Sequence, residues 1–286
     1  PSDMVRGILH LILNNNVDCV YIMNSEMTYR AAKTLKRVAP WLPIIDRIEA
    51  PDPGGGYPMI SAKVGREFID LRTVSHKKLA EHMCGKYRLS RDSLRVIYIG
   101  MNTKRISQLS GLSRGLLHTQ CKVNPETPVV LFVGRFENQK RPEVFVKVIT
   151  KILQLDPKCS AHFAMVGDGH LFSSVRAQVC ESQLGDRIHL LGAHSNAVEL
   201  LADAAILMMP SAYEGLALVS YEAMELGVPQ IFANVGGQDE LITQETGILV
   251  DNGPGEEARY AEACIRLLSN PVLREQMAAA GKHRIR

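Results

Sequence analysis

Short apolar runs rich in Val and Ile alternate with longer amphipathic stretches along the whole chain. Strands of this composition are typical of parallel sheets, because crossover helices cover both faces of such a sheet. The alternation therefore predicts an α/β fold built from doubly wound parallel sheets. The predicted strands span residues 17–23, 43–48, 71–74, 96–99, 129–133, 162–166, 188–191, 206–209, 230–233 and 247–250.

The alternation breaks between Asn102 and Pro128, where the polar strings S-Q-L-S-G-L-S-R-G and V-N-P-E-T-P stand, and it resumes at V-V-L-F-V-G-R. Such a break is typical of a domain boundary. We therefore expect two Rossmann-like domains, the first with its linker at residues 1–118 and the second at residues 119–286. The string P-D-P-G-G-G-Y-P at residues 51–58 is expected to be a surface loop, because no Lys, Ser or Thr directly follows its glycines as in a phosphate-binding loop.

The charge balance bears on the partners of the chain. Its 286 residues include 33 Lys and Arg against 30 Asp and Glu, without a long block of one sign. Nucleic-acid binding gains no support from this balance, because it normally shows as a clustered basic surface. With 46% hydrophobic and 22% charged residues, the composition is that of a folded globular protein.

The cysteines and the apolar runs bear on location. The six cysteines stand far apart, without the C-x-x-C pairs of a zinc site, so we expect them to be free thiols in a reducing compartment. No apolar run approaches the ~20 residues of a membrane span, and the chain does not open with a secretory signal pattern. These patterns predict a cytoplasmic protein.

The most specific motif is P-S-A-Y-E-G-L-A-L-V-S-Y-E-A-M-E-L-G-V-P, at residues 210–229. A predicted strand ends just before it, a turn contains Gly215, and a helix is expected to begin near Leu218. Free backbone N–H groups and the positive end of the helix dipole then meet at the carboxyl edge of a parallel sheet, which is a favourable place for a diphosphate. Glu214 and Glu222 flank this turn, and carboxylates beside a phosphate site are well suited to accept hydrogen bonds from sugar or ribose hydroxyls.

Each of these acids also has a structural interpretation. Glu214 could serve only to complement the helix dipole, which contributes ~0.3–1 kcal/mol. Glu222 could lie on a solvated helix face, although its neighbours are apolar and Glu225 is expected to be the exposed acid there.

Two cations follow the predicted strand at residues 129–133. Arg135 and Lys140 both extend from its carboxyl end, where an Arg forks onto two phosphate oxygens and a Lys supplies a compact charge. Such contacts strengthen with any bound phosphate group that gains negative charge during a reaction, so they are suited to catalysis as well as to binding. Arg141 is expected to be an ordinary exposed residue.

Taken together, these strings resemble family 4 of the retaining GT-B glycosyltransferases. E-G-L-A-L-V-S-Y-E is similar to its E-x7-E motif, and V-V-L-F-V-G-R-F-E-N-Q-K is similar to its first strand and loop of the donor domain. M-V-G-D-G-H, L-L-G, V-G-G-Q-D-E-L-I and R-V-I-Y-I-G-M-N-T match further family turns in the same order. The resemblance covers roughly residue 17 to the end of the chain.

The resemblance implies transfer of a hexose from a nucleotide diphosphate sugar to a hydroxyl acceptor on a glycan, lipid or protein, with retention and with neither metal nor cofactor. Peripheral association with a membrane is compatible with such acceptors. The implied catalytic set comprises Arg135, Lys140 and Glu214. The implied donor-binding residues are Gly134, Gly167, Leu191, Gly215, Leu216, Ala217, Leu218, Val219 and Glu222.

The chain also departs from the family pattern. Arg141 stands where Gly is usual, Ala217 where a second Gly is often found, and Q-D-E replaces an apolar-Pro-Glu string, with Glu240 still matched. The opening strand and glycine-rich acceptor loop are not seen, so the first domain is expected to be incomplete, and no acceptor-side residue can be carried over. Asp46, Glu49 and His76 stand near suitable places.

Two further functions remain open from the sequence. A GT-B unit that binds a nucleotide sugar without transferring it, as a binding or regulatory module, would share all of the donor-site motifs. Phosphorolysis or epimerisation would keep the fold, but a pyridoxal phosphate phosphorylase needs a lysine for that cofactor, which nothing here singles out.

Overall fold

The computed structural model describes residues 2–23, 25–50, 56–112 and 115–285. The chain divides into two compact units, Pro1–Ile99 and Gly100–Arg286. Each unit contains one parallel sheet, which confirms the predicted α/β class.

The first unit contains a four-stranded parallel sheet in the order β1-β2-β3-β4. Its strands are β1 (Val20–Met23), β2 (Ile44–Ile48), β3 (Leu71–Val74) and β4 (Leu94–Val96). Its helices are α1 (Ser2–Asn14), α2 (Glu26–Val38), α3 (Gly56–Lys63) and α4 (Lys77–Tyr87). One core cluster packs α4 onto the sheet through Ile48, Val74, Leu79 and Met83.

The second unit contains a six-stranded parallel sheet in the order β10-β9-β8-β5-β6-β7. Its strands are β5 (Val129–Val133), β6 (His162–Val166), β7 (Ile188–Gly192), β8 (Ile206–Met209), β9 (Gln230–Ala233) and β10 (Gly247–Val250). Its helices are α5 (Thr103–Leu112), α6 (Leu116–Cys121), α7 (Pro142–Leu155), α8 (Phe172–Glu181), α9 (Ala197–Leu201), α10 (Leu218–Leu226), α11 (Gln238–Leu241), α12 (Glu256–Leu268) and α13 (Pro271–Ile285).

The strand order of the second unit fixes where a ligand can bind. The sheet begins in its middle at β5, grows outward through β6 and β7, and then returns so that β8 pairs with the other side of β5. The loops that leave β5 and β8 therefore lead to helices on opposite faces of the sheet, α7 and α10. A crevice opens between such loops at the carboxyl edge of a doubly wound sheet, and this topological switch point is the usual ligand site.

The boundary between the two units lies between Ile99 and Gly100, which is earlier in the chain than the boundary predicted after residue 118. The stretch after Asn102 that reads as polar forms α5 and α6, and these helices pack on α9 and α10 of the second unit. The Asp203 carboxylate accepts hydrogen bonds from the backbone N–H groups of Gly115 and Leu117, at 3.0 and 3.1 Å. These contacts place the linker region with the second unit.

Two other sequence expectations meet the structure here. Of the predicted loop at residues 51–58, positions 51–55 lie outside the described residues, and Gly56–Lys63 is helical. Within the described part of the chain, every helix is either too short or too polar to cross a lipid bilayer.

Candidate functional site

The loop after β5 carries two of the predicted site residues, Arg135 and Lys140. Its shape is set by backbone bonds, since the Glu137 carbonyl accepts from the N–H groups of Lys140 and Arg141, at 2.9 and 3.1 Å. Phe136 anchors the loop, because its ring is fully buried. The side chains on either side of this anchor are held at the carboxyl edge of the sheet.

The loop after β8 carries Glu214 and is tied directly to the loop after β5. The Ala212 N–H donates to the Gln139 carbonyl at 2.7 Å, and the Gln139 side-chain amide donates to the Tyr213 carbonyl at 3.1 Å. Both the backbone and the side chain of Gln139 thus join the two loops that flank the switch point. The sequence alone does not point to this glutamine, because its role depends on a contact between loops that are distant in the chain.

Lys140 and Glu214 form an ion pair between these loops. The Lys140 ammonium donates to Glu214 Oε1 at 2.5 Å, and the two side chains are only 16% and 6% exposed. Charges that are largely removed from water hold each other strongly, and each would be costly to leave alone. The structure therefore brings together two of the three predicted catalytic residues in an ion pair that is largely shielded from water.

Arg135 lies in the same loop but in a different environment. Its side chain is 65% exposed and pairs with Glu137 at 2.7 Å. An exposed ion pair of this kind contributes little to stability, because water screens it and the long side chain loses freedom to form it. The guanidinium is consequently free to leave Glu137 for a stronger anion.

The helix expected after the turn at Gly215 is present, whereas the anion cradle itself stays a prediction. Helix α10 begins at Leu218, with Ala217 as its N-cap in an extended conformation. Gly215, Leu216, Ala217 and Val219 are buried, whereas Leu218 is 54% exposed. The N–H groups of Leu218 and Val219 precede the bond that the Ser220 N–H donates to the Ala217 carbonyl at 3.0 Å, and the dipole of the nine-residue helix adds positive potential there.

Backbone contacts pack the glycine turns against the site. Gly167 has a φ of 143°, and a Cβ built on it would lie 1.9 Å from the Gly134 carbonyl oxygen. Gly236 has a φ of 60°, and its Cβ would lie 1.9 Å from the Glu214 carbonyl oxygen. Both positions therefore require glycine, because the neighbouring chain occupies the space of a side chain.

The β7 end completes this row of turns. Leu191 is half-buried near the end of the strand, and the Gly192 carbonyl accepts a 2.8 Å hydrogen bond from the Gly167 N–H. The turns after β5, β6 and β7 thus lie side by side at one edge of the sheet.

Glu222 lies apart from the ion pair, on the wall of a cavity of about 470 Å³. Burial raises the pKa of its carboxyl above the ordinary value. Neither Lys140 nor Glu214 belongs to the lining of this cavity. Polar side chains in the lining include Asn102, Arg105, His194, Ser195 and Asn196 together with Glu222. The sequence alone does not predict that Arg105 of α5 lines this cavity.

Two structural expectations for neighbouring residues are wrong. Arg141 is not an exposed cation, because its guanidinium pairs with Glu256 and the two side chains are 17% and 9% exposed. Glu225 is not an exposed acid on α10, since it is only 4% exposed and accepts a 3.1 Å hydrogen bond from Ser107. In both cases the partner comes from a distant segment of the second unit.

The acceptor-side candidates all lie in the first unit. Asp46 is fully buried and accepts hydrogen bonds from the Tyr29 hydroxyl at 2.9 and 3.0 Å. Glu49 pairs with Arg47 at 2.7 Å, and His76 is buried at the N-cap of α4. Asp46 is therefore part of a buried internal network, whereas Glu49 and His76 lie at the carboxyl ends of β2 and β3.

In the described ranges, no three His, Cys, Asp or Glu side chains come together as a metal site. The cysteines are free thiols, of which Cys19 and Cys180 are exposed.

Comparison with known proteins places the chain in a family. The model of the family described as Glycosyl transferases group 1 matches residues 115–284. The chain is 30% identical over 156 residues to the alpha-D-kanosaminyltransferase of Streptomyces kanamyceticus, across 54% of this chain and 39% of that enzyme. It is 27% identical over 251 residues to a D-inositol 3-phosphate glycosyltransferase of Streptomyces bingchenggensis, across 80% of this chain and 53% of that enzyme. The chain thus spans about half the length, or less, of these curated relatives.

Among solved structures, the HepE protein of Anabaena in complex with UDP and glucose is similar, with a TM-score of 0.82 at 19% sequence identity. That similarity covers 99% of this chain and 76% of the other, and it bears on the fold alone. The match of the family model to more than half of the chain and the two parallel-sheet units agree with each other. The chain belongs to the glycosyl transferases group 1 family and has the GT-B fold.

Proposed function

We propose that the second unit binds a nucleotide diphosphate sugar at the carboxyl edge of its sheet and that the protein transfers a hexose from it to a hydroxyl acceptor. The proposed reaction retains the anomeric configuration and uses neither a bound metal nor a cofactor. The ion pair of Lys140 and Glu214, made between the two loops of the switch point, is the observation that carries this proposal.

In this proposal the two cations act on the leaving group. Lys140 is already fixed beside Glu214, and an ammonium has three N–H donors, so it can hold the carboxylate and a phosphate oxygen together. Arg135 turns from Glu137 to the diphosphate. Because the nucleoside diphosphate becomes more negative as the glycosidic bond breaks, both contacts stabilise the transition state more than the bound donor.

The acids act on hydroxyl groups. Glu214 accepts hydrogen bonds from the transferred sugar while it orients Lys140, and the N–H groups of residues 216–219 complete the diphosphate cradle. Glu222 accepts from the ribose hydroxyls in the cavity that it lines. A ribose lies next to the diphosphate in any nucleotide sugar, so the two regions would be filled by one ligand.

The comparisons support the class of donor. The Anabaena HepE structure contains UDP and glucose, and the curated relatives are named as glycosyltransferases. Melting curves of this chain with a panel of UDP, GDP and ADP sugars test the donor directly, since a ligand that binds only the folded state raises its melting temperature. No shift with any of these sugars, at concentrations far above ordinary dissociation constants, would contradict the donor site.

Turnover separates transfer from mere binding. The protein is incubated with the best donor, and release of the nucleoside diphosphate is followed with and without glycan, lipid and protein acceptors. Release that depends on an acceptor supports transfer. Tight donor binding without release under any condition would instead favour a nucleotide-sugar-binding or regulatory module.

A further inference from the structure

Arg141 occupies a backbone conformation that disfavours its own side chain. It precedes α7 with a φ of 52° and a ψ of 52°, in the left-handed region. Residues with a Cβ seldom adopt this region, and glycine is the residue that does so most readily. The backbone conformation at this position therefore disfavours an arginine, so we expect its side chain to make a contact that compensates for this cost.

The side chain supplies that contact. One guanidinium N–H donates to Glu256 Oε2 at 3.1 Å, and the other terminal nitrogen donates to Glu256 Oε1. Glu256 is itself fixed at the first turn of α12, where its Oε2 also accepts from the Gly253 N–H at 3.2 Å. Two parallel hydrogen bonds fix both the position and the orientation of the Arg141 guanidinium, which a single charge contact does not.

The pair closes one end of the loop after β5. Two residues earlier in the same loop, Gln139 is held by its two hydrogen bonds to the loop after β8. Lys140 is the single residue between these two attachments. Its backbone is thus fixed on both sides, and its ammonium reaches Glu214 from a rigid base.

We propose that Arg141 is a positioning residue, which acts through its pair with Glu256 to hold the Lys140 ammonium where the leaving diphosphate gains charge. This inference rests on the proposed function of Lys140. A preorganised charge is effective only when it is held within a fraction of an ångström of its productive place, and small displacements cost large factors in rate. The pair therefore contributes to turnover rather than to donor recognition.

Three variants of the protein test the proposal. Arg141→Gly removes the guanidinium but accepts the left-handed backbone, so it is expected to fold. Glu256→Gln keeps the size of the side chain and removes its charge. Each should lower turnover about 10-fold while donor affinity changes less than about 3-fold. Arg141→Lys keeps the charge without the fork and should fall between wild type and Arg141→Gly.

A double-mutant cycle separates positioning from general stability. If Arg141 acts through Lys140, then adding Arg141→Gly to Lys140→Ala should cause almost no further loss of turnover, because coupled residues are not additive. A merely structural role would give the same factor in both backgrounds. Arg259→Ala is the matched control, because Arg259 lies on the same helix as Glu256 but bonds only to the Pro254 and Asp251 carbonyls in the described structure. It should leave turnover unchanged.

The outcomes also separate this inference from the proposed function. Reduced turnover in Lys140→Ala with wild-type turnover in Arg141→Gly would overturn the positioning role and leave the function of Lys140 intact. Additive losses in the cycle would overturn it as well. Wild-type turnover in Lys140→Ala would remove the residue to be positioned and would overturn both.

Discussion

Replacing Lys140 by alanine removes a cation that the structure holds in an ion pair at the switch point. Its ammonium lies 2.5 Å from Glu214 Oε1, and its side chain is 16% exposed. A preorganised partner of developing charge is typically worth ~10²–10³ in turnover, or about 2.7–4 kcal/mol. We therefore expect Lys140→Ala to lower turnover by ~10²-fold or more and to lower donor affinity by a smaller factor.

The same substitution has a predictable effect on stability. It leaves the buried Glu214 carboxylate without its cation, and breaking a buried pair in this way costs about 3–5 kcal/mol. For a unit of this size the melting temperature should fall by on the order of 10 °C. Adding Glu214→Gln removes the stranded charge, so the double variant should recover much of the stability and none of the turnover.

The assay combines steady-state turnover, donor affinity by calorimetry and a melting curve, each at a temperature where all variants are folded. Lys147→Ala is the control, since Lys147 is an exposed residue on α7. A neutral surface lysine costs almost nothing in any of these quantities. Near-wild-type turnover in folded Lys140→Ala would refute the assignment and leave Arg135 as the side-chain cation proposed for the leaving group.

Other predictions concern Glu222, which is proposed to bind the ribose, and Gly167 in the turn after β6. Glu222→Gln should weaken donor affinity by ~1–2 kcal/mol in calorimetry, whereas the exposed control Glu245→Gln should not; equal affinities would return Glu222 to a structural role. Because burial raises the pKa of the Glu222 carboxyl above 4.5, the hydrogen-bond-accepting form is lost at higher pH than for an exposed Glu. Affinity for a sugar nucleotide should accordingly rise as pH increases from about 4.5 toward neutrality, and it should be flat in Glu222→Gln. Gly167→Ala should destabilise the second unit by more than about 2 kcal/mol in chemical unfolding, because its Cβ would lie 1.9 Å from a backbone oxygen. Gly185→Ala, with open space around it, is the control, and equal unfolding midpoints would contradict the close approach.

The sheets could largely be predicted from the sequence because buried parallel strands are continuous apolar runs. The bounds predicted for β3, β5, β6, β8, β9 and β10 match the observed strands. The strand predicted at residues 96–99 is instead Leu94–Val96, because its ladder with β3 pairs Arg72 with Leu94 and ends at Val74 with Val96. The apolar residues that follow, Ile97 and Tyr98, are 52% and 45% exposed, so composition alone misplaced the strand.

The donor-site geometry could be predicted only where topology determines it. Residues that follow parallel strands share one edge of the sheet, so Arg135, Lys140 and Glu214 were expected together from their places in the sequence. Contacts between distant segments leave no such pattern. The pair of Arg141 with Glu256 and the hydrogen bond of Ser107 with Glu225 join residues 115 and 118 positions apart. The one available signal was Arg141 itself, where the family resemblance leads one to expect glycine.

The contrast between the two cations suggests how they divide the work of binding and catalysis. Lys140 is neutralised by Glu214 before any ligand arrives, so this pair offers little net attraction to a diphosphate that carries two negative charges. Arg135 is 65% exposed and only weakly engaged by Glu137, so it supplies the attraction but must give up side-chain freedom worth up to about 2 kcal/mol when it is fixed. This loss of side-chain freedom weakens donor binding. For Lys140 the corresponding loss has already occurred on folding, because its ammonium is paired with Glu214. We therefore propose that the exposed Arg135 contributes most to recruiting the donor, and that the fixed Lys140 contributes most to stabilising the departing charge.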